Sequence, residues 1–169
     1  LGITARALGD DKKAENALRR ALEKEPAHEA TLQAMVELGG QRGDWKMVVD
    51  AKRVQVERAP DAMKAKLLDE IGDIQRGKLK DVGAAIGAYL EAQRVFAASG
   101  QPSGHVLLHK LLDAYSEQKQ WRRAVEILDA LAGLETSPAR RTKYHYAAAV
   151  IARDELADTE VAVERFSAA

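Results

Sequence analysis

The dipeptide Gly-Asp and a proline recur at one spacing: Gly43-Asp44 lies 34 residues after Gly9-Asp10, and Pro60 lies 34 after Pro26. A fixed period of this length demands a supersecondary unit that stacks on copies of itself, which constrains the fold before any other question is asked. The unit is legible in residues 9–26, GDDKKAENALRRALEKEP. Its Gly-Asp is a turn followed by a helix N-cap signal. Its proline, just past the last apolar position, stops the helix. Between them Ala14, Ala17, Leu18, Ala21 and Leu22 fall at helical spacing on one stripe. Much of that stripe is alanine, so one such helix buries little apolar area and needs neighbours.

The rest of the chain follows the same grammar. Residues 28–39 predict a helix with Leu32, Met35, Val36 and Leu38 inward and Gly39-Gly40 loosening its end. Trp45 follows the second Gly-Asp, and the next helix runs to Arg58. Asp61 is expected to cap a helix over 62–75 carrying Leu67, Leu68, Ile71 and Ile74. Residues 82–98 follow, with Ala85, Ile86, Tyr89, Ala92 and Val95 inward, until Ser99-Gly100-Gln101-Pro102 breaks the pattern. Residues 104–118 carry Leu108, Leu111, Leu112 and Tyr115, and Trp121 opens a helix with Ala124, Ile127, Leu128 and Leu131. Ser137 and Pro138 begin a helix to about Asp154, and Asp158 caps a last one with Val161, Ala162, Val163 and Phe166 inward. No stretch alternates with period two for long enough to make a strand.

Across these pairs the second helix repeats a small residue, then a large apolar one four on, then a small one three further. It stands as Ala14, Leu18, Ala21, as Ala85, Tyr89, Ala92, and as Ala162, Phe166, Ala169. The first helix carries a Leu-Gly-like pair at Leu1-Gly2 and Ile71-Gly72. This pattern resembles the tetratricopeptide repeat (TPR). The resemblance covers the whole chain as about four and a half repeats, at 1–26, 27–60, 61–99, 100–136 and 137–169, truncated at both ends. It implies an all-α fold, a right-handed α-α superhelix in which antiparallel helix pairs form a solenoid. The second repeat departs, with Lys52 at the large apolar place and Gln55 at the second small place; the fourth ends on Leu131. Small residues at a crossing let two helices approach to the low end of the roughly 8–10 Å interaxial range. Each pair then exposes an edge that the next one covers.

Composition narrows the function. With 26 basic and 26 acidic residues there is no cation excess to displace phosphate counterions, so nucleic acid is not an expected partner. Cysteine is absent, which excludes disulfides and thiolate metal sites. No apolar run reaches the roughly 20 residues that span a bilayer, so membrane insertion is not expected. The chain starts without Met and inside a helical pattern, and reads as a piece of a longer bacterial, cytoplasmic protein.

Each chemistry-bearing cluster also has a structural reading. His105, His109 and Asp113 share one helix face, and two histidines four apart can reach one zinc ion. Val106 follows His105 where a metalloprotease motif needs glutamate, and further ligands are not evident, so a solvated or groove-facing row is preferred. Tyr144-His145-Tyr146 are consecutive and face different ways on a helix, so one tyrosine should pack and another face the groove. Trp45 and Trp121 open equivalent helices and fit packing plugs. Asp69/Asp73 and Asp113/Glu117 are pairs along single helices, unlike catalytic carboxylates set across a pocket. Gly83 and Gly87 sit in a helical stripe and not in a phosphate loop. No enzyme activity, metal or cofactor is expected.

In the TPR family the first helices line the concave surface. The resemblance places Gln33, Glu37, Asp69, Asp73, His109, Asp113 and Tyr146 there, with Lys66, Arg76 and Arg153 near the edge. The family's clamp for terminal carboxylates uses Lys and Asn in the first helix, and no such set is present. The expectation is a protein-interaction scaffold whose acidic concave face takes a basic or amphipathic segment of a protein. Two alternatives stand beside it: the regulatory or substrate-recruiting part of a larger enzyme, such as a kinase, and a structural spacer that self-associates end to end.

Overall fold

The computed structural model describes residues 11–100 and 104–169. The expected Leu1-Gly2 and Gly9-Asp10 features lie outside the described residues. Those described form helices and turns without strand. The helices are α1 (Asp11–Lys24), α2 (Glu29–Arg42), α3 (Trp45–Arg58), α4 (Asp61–Gly77), α5 (Val82–Ala98), α6 (His105–Glu117), α7 (Trp121–Leu134), α8 (Pro138–Asp154) and α9 (Thr159–Ala168). The chain divides into two compact units, residues 1–99 with α1–α5 and residues 100–169 with α6–α9.

Within the first unit each helix packs on the next. Ala14 and Leu18 of α1 meet Leu32, Met35 and Leu38 of α2 and Met47 and Ala51 of α3 in one buried cluster. A second cluster joins Val49 of α3, Ile71 of α4 and Ala88 of α5, so a second-of-pair helix is covered by the following pair. Ion pairs lie over these seams. Arg42 bonds Glu15 and holds its carboxyl below the ordinary carboxylate range. Arg53 of α3 reaches Glu91 of α5. In the second unit Val125 and Leu128 of α7 pack with Ala148 of α8, and Arg165 of α9 bonds Asp129 of α7 at 2.7 Å.

Glycine does two different jobs in the first unit. Gly72 is buried in α4, and the Tyr89 ring of α5 fills the space a side chain would take. Gly39 does not loosen the end of its helix as the sequence suggests. α2 continues to Arg42, and Gly39 is buried because Val48 of α3 lies where its Cβ would be. A side chain at Gly39 would block that close approach, and glycine permits it at an entropic cost of roughly 0.5–1 kcal/mol.

The turns inside pairs share one device. A single left-handed residue precedes the N-cap: Gly43 (φ 72°), Lys80 (φ 59°), Lys119 (φ 54°) and Ala157 (φ 52°). The next N–H then donates back to a carbonyl of the preceding helix, Asp44 to Gly39 at 2.8 Å and Gln120 to Tyr115 at 2.8 Å. Asp44, Asp81 and Asp158 cap the following helices by accepting from Met47, Ala84 and Val161. Gln120 makes no such cap. Asp61 is likewise not the cap of α4 but its first residue; Pro60 holds the cap position.

Installing Gly-Asp in the α6–α7 turn, as Lys119→Gly with Gln120→Asp, is therefore expected to stabilise the protein. Relief of the left-handed strain and the new cap together contribute about 1–2 kcal/mol. Thermal unfolding followed by circular dichroism should show Tm rising by roughly 3–6 °C. A fall in Tm would mean that the Lys119 side chain holds something the turn needs.

Candidate partner-binding groove

The second repeat breaks the small–large–small pattern, and the structure opens at that place. Lys52 cannot fill an apolar notch. It turns instead to Glu70 of α4, at 2.6 Å, with its own side chain only 14% exposed. Lys52 and Gln55 become part of the wall of an open groove of about 580 Å³ between the N-terminal part of α2, the C-terminal part of α3 and the start of α4. The ion pair bridges α3 and α4 along one wall of the groove.

The floor of the groove is apolar: Leu32, Val54, Met63 and Leu67. Met63 is 47% exposed, on the stripe that also carries Leu67. Charge sits around that floor. The Lys52–Glu70 pair cancels, and Glu29, Arg58 and Lys66 remain, each exposed. Arg58 and Lys66 make no ion pair with a described residue.

The predicted concave residues fall in both units. Gln33 lines the groove. Glu37 is exposed further along α2, and Asp69 is half-buried on α4. Asp73 is exposed and holds the partner helix, since its Oδ1 accepts a 2.9 Å hydrogen bond from the Tyr89 hydroxyl. Burial, then this bond, push that hydroxyl far above the ordinary phenol range. Asp73 thus fixes the ring that sits against Gly72.

In the second unit His109 and Asp113 are exposed on α6. His109 meets Tyr144 of α8, Nε2 to hydroxyl at 3.1 Å, while His105 pairs with Glu135 at 3.2 Å. Tyr144 packs on the Val125–Leu128–Ala148 cluster. Tyr146, 57% exposed, lies edge-on to Phe166 of α9 instead of beside His109. Val163, read as inward, is 59% exposed, because Val161, Ala162 and Val163 are consecutive and cannot share one helix face. Trp45 is half-buried and Lys78 of the α4–α5 turn lies over its ring, 5.0 Å from the centroid.

The sequence reading missed Val54, Met63 and Arg58 as a group and set Lys66 at an edge. The usable signal was the departure at Lys52 and Gln55, both of which line the groove.

The architecture is that of a TPR-like all-α array of helix pairs. Among solved structures, the chain is similar to a crystal structure of MamA, with a TM-score of 0.53 and 16% identity, covering 99% of this chain and 91% of that one. A second structure, of the MamA protein, matches with a TM-score of 0.53 and 17% identity over 99% of this chain and 85% of that one. At such identity the likeness concerns the fold alone. No model of a protein family matches the chain, and no curated relative matches it by sequence. No described helix is long and apolar enough to cross a membrane.

Proposed function

We propose that the chain is a protein-interaction scaffold that holds a segment of a protein partner between the first helices α2 and α4 and the second helix α3. The observation that carries this reading is the groove between α2, α3 and α4, where Met63 is 47% exposed beside the partly buried Val54 and Leu67. Stacked helix pairs suit such a role because they present broad continuous surfaces that segments of other chains can follow. Gln33 lines that surface, and Glu37, Asp69 and Asp73 bound it further along α2 and α4. His109, Asp113 and Tyr146 offer a further polar and aromatic set in residues 100–169. No reaction is part of the reading.

A displayed peptide library selected against the chain tests it. Met63→Gln keeps the size of the side chain and removes its apolar contact. The selected pool should bind this variant about ten-fold more weakly, the loss of one buried methionine contact. Met63 is exposed, so circular dichroism should show the variant folded as the parent is. A pool that binds both proteins equally would place the docking surface elsewhere and reject the groove.

A further inference from the structure

The charge around the groove selects among protein segments. We infer that the groove between α2, α3 and α4 takes an acidic amphipathic segment of a protein partner, its apolar side chains on Val54, Met63 and Leu67 and its carboxylates toward Arg58 and Lys66. This rests on the groove being the docking face and goes further by naming the partner's chemistry.

Three features on the molecule point to it. The groove carries three cationic side chains against two carboxylates. One cation and one carboxylate are already spent on each other in the Lys52–Glu70 pair, at 2.6 Å. The two cations that remain line the same groove from different helices, Arg58 from the last turn of α3 and Lys66 from α4. Arg58 also presents a planar fork that can grip a carboxylate through two parallel bonds. Glu29 is the one acidic group left unpaired in the lining, and a basic segment would meet two like charges for each opposite one.

The expected occupant has apolar residues at helical spacing with Asp or Glu beside them. A wholly acidic tail would leave the floor wet, and a wholly apolar one would leave the cations unmatched. The acidic side chains Glu37, Asp69 and Asp73 lie further along α2 and α4 and are outside the groove lining. They would discourage the segment from extending past it.

The test uses a random peptide library displayed as fusions with no free C-terminus, selected at low salt against the intact chain. Selected sequences should be enriched in Asp and Glu next to Leu, Ile or Phe. Their binding should fall at least ten-fold on Arg58→Glu with Lys66→Glu, both exposed positions at which the fold is not at risk. It should also weaken as salt is raised. Enrichment in Lys and Arg, or indifference to the charge reversal, overturns the inference. Met63→Gln separates the two levels. Binding that responds to Met63→Gln but not to the charge reversal sinks the acidic partner alone. Binding that responds to neither sinks the groove as well.

Discussion

Ala92→Glu is expected to destabilise the protein more than any other single substitution considered, lowering Tm by well over 10 °C. Ala92 is fully buried in α5, on the stripe that also buries Ala85, Ala88 and Tyr89. A glutamate there has no room, and overpacking alone costs about 1–3 kcal/mol. Burying its carboxylate without a partner adds on the order of several kcal/mol. Against a total stability of roughly 5–15 kcal/mol, the sum removes most of the margin. Ala97→Glu on the same helix is the control, since Ala97 is exposed. Its Tm should stay near the parent's. The defect should also depend on pH. The buried carboxyl's pKa is raised above its unfolded value, so stability is lost as pH rises from the unfolded pKa through the folded one and is partly recovered in acid. A variant that melts as the parent does at neutral pH would mean that α5 does not present Ala92 to the core.

The second large effect is Gly72→Ala, where two principles point in opposite directions. Alanine is the better helix former by about 1 kcal/mol in a helix interior. Yet a Cβ at Gly72 would stand 2.3, 2.5 and 2.8 Å from three ring atoms of Tyr89. That ring is buried at 1% exposure and its hydroxyl is held by Asp73, so it cannot swing away. Steric cost should win, with a net loss of roughly 1–3 kcal/mol. Gly87→Ala makes the converse case. Nothing lies within 4 Å of a Cβ built there, so propensity acts alone and stability should rise. Opposite signs for the two alanines, read from thermal or denaturant unfolding, establish the Gly72–Tyr89 contact. Tyr89→Leu should also soften the Gly72→Ala defect, since the two changes share one contact. Equal gains from both alanines would remove the contact from the account.

These cases show how the fold could be read from residues and where reading stopped. Helix positions follow from local signals. Apolar spacing, Gly-Asp at 43–44, Pro138 at a helix start and Asp158 at a cap act within a few residues, and the helices begin close to where those signals stand. The inward faces follow from the same period: Leu108, Leu111 and Tyr115 are buried as their spacing predicts. Glycine was harder, because its role depends on what approaches it. Gly39 looks like a helix breaker until Val48 is seen against it, and Gly40 beside it has nothing within 4 Å. Lys80, Lys119 and Ala157 carry no sign in their own chemistry that they adopt a left-handed turn. The packing of the two flanking helices imposes it.

The candidate site was legible only in part. Gln33 lines the groove, while Val54 and Arg58 of α3 and Met63 of α4 come from different helices whose meeting depends on how α2, α3 and α4 pack. Tyr144 and Tyr146 were indistinguishable by composition, and two positions along a helix decide which meets His109 and which meets Phe166. The residues alone therefore determined an all-α chain of paired helices, because helix period, caps and small crossing residues are properties of short stretches. Tertiary structure alone decided where the array is closed and where it stands open. That depends on whether the side chain from one helix fills the gap left by another, as Tyr89 does at Gly72.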